Sequence, residues 1–133
     1  MIDFISLRVP FGNAAKTIFE FAEKNEIKLY VSSLTIATLH YVLKKIYSEN
    51  EVRHAISCTL DLLEIIDLTE DVLRKSLNSN HKDFEDAIQI FCAHKVENLT
   101  AIITRDLKDF STAEMQVFAP DQALYYINNN LNK

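Results

Sequence analysis

The amino-acid sequence predicts an α/β domain in which helices cover both faces of a mostly parallel sheet. The first observation is that segments with helical spacing of apolar residues alternate with short apolar segments rich in strand-forming residues. The second is that 133 residues, of which 48% are apolar, suffice for one domain with its own core. The chain has one Gly and two Pro, and no repeat or low-complexity stretch. We therefore expect a single domain over residues 1–133.

Six segments carry apolar residues at every third or fourth position, most of them behind a residue that can cap a helix. In the first of them, Ala15, Ile18, Phe19 and Ala22 share one face. The predicted helices, in chain order, are 14–25 capped by Asn13, 33–47 capped by Ser32 or Ser33, 51–63 opened by Asn50, 71–77 behind Thr69, 82–95, and 121–129 with Pro120 in the first turn.

Short apolar segments between these helices predict strands. IKLYVS is the clearest, and the segment TAIITRD is very apolar in its middle. The predicted strands are 27–32, 64–68, 100–106 and 115–120.

The charge and the cysteines restrict the class of protein. The net charge of −5 argues against binding nucleic acid through the overall field, but not against an acidic metal site that handles phosphates. No apolar run reaches the length of a membrane span, and no secretory signal opens the sequence. Cys58 and Cys92 lie in helical patterns among apolar neighbours, so we expect two buried free thiols in a reducing cytoplasm.

A cluster of acids lies at the start of the predicted helix KDFEDAIQIFCAHK, residues 82–95. Its apolar stripe consists of Phe84, Ala87, Ile88, Phe91 and Cys92. Asp83 and Asp86 are three positions apart, so they neighbour each other on the flank of that stripe, while Glu85 points away. One interpretation is structural, because acids in a first helical turn are favoured by capping and by the helix dipole.

A second acidic group follows the strand AII in the segment TRDLKDF. Asp106 lies at or just past the carboxyl end of that strand, where open α/β sheets bind ligands, and Asp109 follows. A simple turn, paired with Arg105 and Lys108, is the other interpretation. If Asp86 and Asp106 meet, their repulsion calls for a cation, and carboxylate oxygens without thiolates select Mg²⁺ or Mn²⁺.

Three segments, in this order and spacing, resemble the PIN-domain family: SSLTIATLHYVLKK, DFEDAIQIFCA and IITRDLKDF. The most similar subgroup is the bacterial one that often carries ALT…YYILRK in its second helix. The resemblance extends from about residue 1 to about residue 124. It implies a three-layer α/β/α sandwich and Mg²⁺- or Mn²⁺-dependent cleavage of RNA phosphodiesters by a metal-bound water. Many bacterial members are toxins of toxin–antitoxin pairs, and homodimers are common.

The resemblance also implies roles for individual residues. Asp86 matches the central acid of the family's helix, and Asp106 matches the acid after the strand, so both are expected to bind the metal and support catalysis. Asp83 and Asp109 flank them as further candidate metal-binding carboxylates. Thr104 and Arg105 are the expected contacts to the RNA substrate.

The sequence departs from the family in two places. Thr38 stands where the second helix usually carries an acid. The opening MIDFISLRVPF aligns just after the family's Asp-Thr-Asn-like motif, and Asp3 corresponds to a later, usually non-catalytic acid. We therefore expect an N-terminally shortened domain that lacks the family's central first strand. Either another segment fills its place or the natural gene starts upstream, and we favour the second.

Three hypotheses about function result. The first is a PIN-like ribonuclease of the toxin type whose activity is impaired. The second is a PIN-like fold kept for binding without catalysis, which Thr38 and the missing first Asp favour. The third is an unrelated α/β domain in which both acidic groups only cap and pair.

Overall fold

A computed structural model describes residues 2–6, 13–104, 107 and 115–131. Strands and helices alternate along this part of the chain. They are β1 (Ile2–Ser6), α1 (Asn13–Glu23), β2 (Ile27–Ser32), α2 (Ser33–Leu43), α3 (Glu49–Leu62), β3 (Glu64–Ile66), α4 (Glu70–Leu77), α5 (Phe84–Ala93), β4 (Ala101–Ile103), β5 (Val117–Phe118) and α6 (Pro120–Leu131).

The strands form one five-stranded sheet in the order β3-β2-β1-β4-β5. Every pairing is parallel: Ile5 lies opposite Tyr30 of β2 and opposite Ile102 of β4. The expectation that the central strand is missing is therefore wrong, because Ile2–Ser6 occupies that place. Without a strand at this place, β2 and β4 would carry unpaired backbone groups in the middle of the sheet. Ile2–Ser6 pairs with both of them.

Two apolar clusters, one on each face of the sheet, produce the predicted three layers. Strand β2 shows the division, because Leu29 and Val31 belong to the cluster with α1 and α6. Tyr30, between them in sequence, packs into the other cluster with α4 and α5. Strand β4 alternates in the same way, with Ala101 and Ile103 on the first face and Ile102 on the second.

Hydroxyl side chains fix the starts of three helices. Ser32, Ser48 and Thr69 each accept a hydrogen bond from the backbone N–H three residues later, at 3.2, 3.2 and 3.3 Å. Ser32 and Thr69 were predicted as caps. Asn50 was the wrong choice, because α3 begins at Glu49 behind Ser48, two residues earlier than its apolar spacing suggests.

Two residues expected inside the protein are exposed. Phe84 is 42% exposed because it is the first residue of α5, before the turns that are buried. Cys58 is exposed because α3 buries little of its surface apart from Val52, whereas Cys92 in α5 is fully buried as predicted. Among the described residues, no helix is both long enough and apolar enough to span a bilayer.

The contrast between the two thiols predicts their reactivity. Burial raises the pKa of the Cys92 thiol, and its side chain is closed to reagents. We expect one thiol of the native protein to react quickly with Ellman's reagent at about pH 8, near the ordinary thiol pKa. Cys58→Ser should abolish this fast reaction and Cys92→Ser should leave it unchanged. A fast reaction that persists in Cys58→Ser would show that α5 opens readily.

Candidate functional site

The carboxyl edge of the sheet carries most of the polar side chains that are buried. Because the strands are parallel, their carboxyl ends meet at one edge. Ser32 ends β2 and is fully buried, and Thr104 follows β4 and is 3% exposed. The backbone N–H of Thr104 donates to the carbonyl oxygen of Phe118 at 2.9 Å, which extends the ladder past the end of β4. This edge is the candidate site.

A series of buried hydrogen bonds joins β2, α2 and α5 at this edge. The hydroxyl oxygens of Ser32 and Thr35 lie 3.1 Å apart. The Nε2 group of Gln89 donates to Oγ1 of Thr35 at 3.0 Å. All three residues are at most 8% exposed. These hydrogen bonds hold α5 against the first turn of α2, where β2 ends.

Asp86 lies one helical turn before Gln89. Residues three apart on a helix are neighbours, so Asp86 lies on the same flank of α5 as the amide that reaches Thr35. Its side chain is partly buried, in the first turn of α5, between the solvent and the packed turns that follow. Packing therefore places this carboxylate at the carboxyl edge of the sheet.

Asp83 occupies the N-cap position of α5 and is exposed. Its backbone carbonyl accepts from the N–H of Ala87 at 3.0 Å, but its side chain makes no capping hydrogen bond. The structural interpretation of Asp83 as a capping side chain is therefore wrong.

Thr38 lies one turn after Thr35 on α2, at the place where the family usually has an acid. Thr35 is 6% exposed, whereas Thr38 is exposed. Since Thr35 contacts Gln89 and both Thr38 and Asp86 are one turn from that contact, we expect Thr38 and Asp86 to border the same groove. Thr38 brings no carboxylate to this position of α2.

The end of α2 is tied to the start of α3 by a charged hydrogen bond. Nε2 of His40 lies 2.8 Å from Oε2 of Glu49, and both side chains are at the surface. This hydrogen bond, with the charges of His40 and Arg53, lowers the pKa of the Glu49 carboxyl below its ordinary value. His40 is therefore a rim residue that stabilises the α2–α3 junction.

Three of the predicted site residues, Arg105, Asp106 and Asp109, lie outside the described residues. The meeting of Asp86 with Asp106 therefore stays a prediction. Within the part of the chain that is described, no three His, Cys, Asp or Glu side chains form a group that could hold a metal ion.

Sequence reasoning missed Gln89 altogether and treated Ser32 only as a cap. A signal was present, because Gln89 is the polar residue inside the apolar run AIQIFCA. Its partner Thr35 is 54 positions away, so the contact itself was not visible in the sequence.

Comparison with known proteins assigns the family. A family model described as PIN domain matches residues 1–108, which is most of the chain. The chain belongs to the PIN-domain family. None of the curated proteins matches it at a significant level.

Solved structures agree on the fold. VapBC2 from Rickettsia felis, bound to a DNA fragment from its promoter, is 20% identical with a TM-score of 0.60, covering 88% of this chain and 97% of that one. PAE2754 from Pyrobaculum aerophilum is 15% identical with a TM-score of 0.64, covering 96% and 90%. DNA-bound VapBC from Salmonella typhimurium is 14% identical with a TM-score of 0.59, covering 90% and 99%. At these identities the likeness establishes the fold alone.

Proposed function

We propose that this protein is a metal-dependent ribonuclease of the toxin type, in which Asp86 and Asp106 hold Mg²⁺ or Mn²⁺ and RNA phosphodiesters are cleaved. The observation that carries the proposal is the position of Asp86, which the packing of α5 places at the carboxyl edge of the sheet. Membership of the PIN-domain family supports the same chemistry.

The oxygen-rich chemistry of this edge suits a hard divalent cation. The described polar groups nearby are the carboxylate of Asp86, the hydroxyls of Ser32 and Thr35, and the amide of Gln89. Mg²⁺ and Mn²⁺ prefer oxygen ligands of this kind. When bound, such an ion lowers the pKa of a bound water and stabilises negative charge on a phosphodiester.

Roles for the other candidate residues follow from their positions in the chain. Asp106 comes two residues after Thr104 and would be the second ligand of the ion at the end of β4. Asp83 and Asp109 would complete the acidic surroundings of the ion. Thr104 and Arg105 would contact the phosphate of the RNA, and Arg105 would supply positive charge.

The proposed activity is weak. One carboxylate fewer would border the ion, because Thr38 stands in place of the acid of α2. A hydroxyl is a poor ligand for a divalent ion, so the affinity for the ion is reduced.

An antitoxin is the proposed protein partner. Two of the structural neighbours are VapBC complexes bound to DNA, and their fold covers nearly the whole of this chain. A companion antitoxin would keep the ribonuclease silent in the bacterial cytoplasm, where free thiols such as those of Cys58 and Cys92 stay reduced. We propose a homodimer as the assembled form, on the resemblance to the family.

A second candidate function is a binding module without catalysis. The observation that favours it is the exposed Thr38, which stands in place of an acid. Such a module would bind RNA or its partner without breaking a phosphodiester bond. Metal binding and cleavage therefore have to be measured separately.

The first test is the effect of Mn²⁺ on thermal stability. At ten times its dissociation constant, an ion that binds only the folded protein adds about 1.4 kcal/mol. That should raise the melting temperature by about 3–6 °C for a domain of this size. Asp86→Asn together with Asp106→Asn should abolish the rise, because the ion loses both proposed ligands. Circular dichroism measures the transition.

The matched control is Asp61→Asn with Asp121→Asn. Both side chains are exposed, on α3 and α6, and the pair removes the same two charges. The Mn²⁺-induced rise should persist in this variant. An equal rise in the variant of Asp86 and Asp106 would place the ion elsewhere and overturn the assignment.

The second test restores the acid of α2. Because Thr38 is exposed, Thr38→Glu should fold normally. Because the ion is divalent, a carboxylate about 4 Å away contributes about 2 kcal/mol even in water, so Mn²⁺ should bind at least about tenfold more tightly. Cleavage of an end-labelled, mixed-sequence RNA should rise by a similar factor. Ala37→Glu, one position away and also exposed, adds the same charge on another side of the helix and should change neither property.

The triple variant Thr38→Glu, Asp86→Asn, Asp106→Asn identifies cleavage by a contaminating nuclease, because it should be inactive. Tighter Mn²⁺ binding by Thr38→Glu without any RNA cleavage would favour the binding module over the ribonuclease.

A further inference from the structure

Gln89 is an unusual residue for its position. It lies in the middle of α5 between Ile88 and Ile90, which are 3% and 1% exposed, and is itself 8% exposed. An uncharged amide in such surroundings stabilises the fold only when both its donor and its acceptor are bonded. Its donor is bonded, because Nε2 donates to Oγ1 of Thr35.

Its acceptor is not bonded. Oε1 of Gln89 is buried and has no hydrogen-bond partner, and it is the one buried side-chain polar atom of which this is true in the described part of the chain. A residue that only linked α5 to α2 would gain nothing from this oxygen. An apolar side chain of the same length would fill the space without leaving an unpaired atom.

The residues around Oε1 of Gln89 indicate which group could donate a hydrogen bond to it. Asp86 is one turn away on the same flank of α5. The Nε2 bond to Thr35 holds the amide in one orientation, so the oxygen is presented at a fixed position. Mg²⁺ and Mn²⁺ keep several of their water molecules when few carboxylates bind them, and those waters need acceptors.

We propose that Gln89 is a positioning residue for the metal site, an inference that rests on the proposed function. Its Nε2 group fixes the amide on Thr35. Its Oε1 atom, which is closed to solvent in this structure, accepts a hydrogen bond from a water molecule that enters with the ion that Asp86 binds. Ser32 supports the arrangement from behind, through the hydroxyl of Thr35. Acceptors outside the ligand shell typically change metal affinity by about 10–100-fold when they are removed.

The test measures the dissociation constant of Mn²⁺ by isothermal titration calorimetry and the melting temperature in EDTA. Gln89→Met keeps the length of the side chain and removes both polar groups. We expect Mn²⁺ to bind about tenfold more weakly, while the melting temperature without ion stays equal or rises. Gln89→Glu keeps an acceptor, to which Thr35 can donate, and adds a negative charge near the ion, so Mn²⁺ should bind at least as tightly as to the parent.

Two further variants separate positioning from stability. Thr35→Val removes the hydroxyl that fixes the amide while keeping the shape of the side chain, and should also weaken Mn²⁺ binding if Gln89→Met does not fold. Gln122→Leu removes an Oε1 atom that accepts from the N–H of Ala119 at 2.8 Å, in α6. It should lower the melting temperature and leave the Mn²⁺ affinity unchanged.

The outcomes are distinguishable from those of the proposed function. If the parent binds Mn²⁺, Asp86→Asn does not, and both Gln89→Met and Thr35→Val bind like the parent, Gln89 is only structural and this inference is overturned. If Mn²⁺ does not bind the parent at all, the proposed function fails and this inference with it.

Discussion

The parallel pairing of the central strand is the constraint on which the rest of the structure depends. Ile2–Ser6 is hydrogen-bonded to β2 on one side and to β4 on the other. Buried backbone groups must be paired, so no arrangement of β2 and β4 as separate halves could keep the two apolar clusters in place. The parallel direction then collects every strand's carboxyl end at one edge, and the buried polar residues Ser32 and Thr104 lie there.

Helix α5 connects that packing to the proposed chemistry. Six of its ten residues are buried, so its position on the sheet is determined by contacts that have nothing to do with catalysis. These contacts also determine the position of Asp86, which lies one turn before Gln89, in the turn of α5 at the carboxyl edge of the sheet. A carboxylate at the start of a helix is also favoured by the dipole, which lowers the cost of keeping it charged before a cation binds.

Local patterns were enough to predict most of the fold, whereas contacts distant in sequence were not. The spacing of apolar residues identified all six helices and the strands from β2 to β5, and the hydroxyls of Ser32 and Thr69 were recognisable as caps. The strand Ile2–Ser6 was missed because the family alignment was given more weight than its own apolar sequence. Phe84 and Cys58 were predicted to be buried because the spacing of apolar residues identifies the apolar face of a helix. It does not show whether another helix or strand covers that face. The place of Asp86 in the first turn of its helix was predicted from the sequence. The contact between Gln89 and Thr35 was not, because no sequence pattern connects two residues on helices so far apart in the chain.

The two threonines of α2 show why the fold and the proposed activity can change independently. Thr35 is buried and bonded to Gln89, so its replacement disturbs both the packing and the orientation of α5. Thr38, one turn later, is exposed, so the difference between an acid and a threonine there has little effect on folding. If position 38 borders the proposed ion, replacing an acid there lowers the affinity for the ion but costs little stability, and Asp86 stays at the carboxyl edge. In the proposed site, a change of charge at this exposed position of α2 would alter the activity without altering the architecture of the domain.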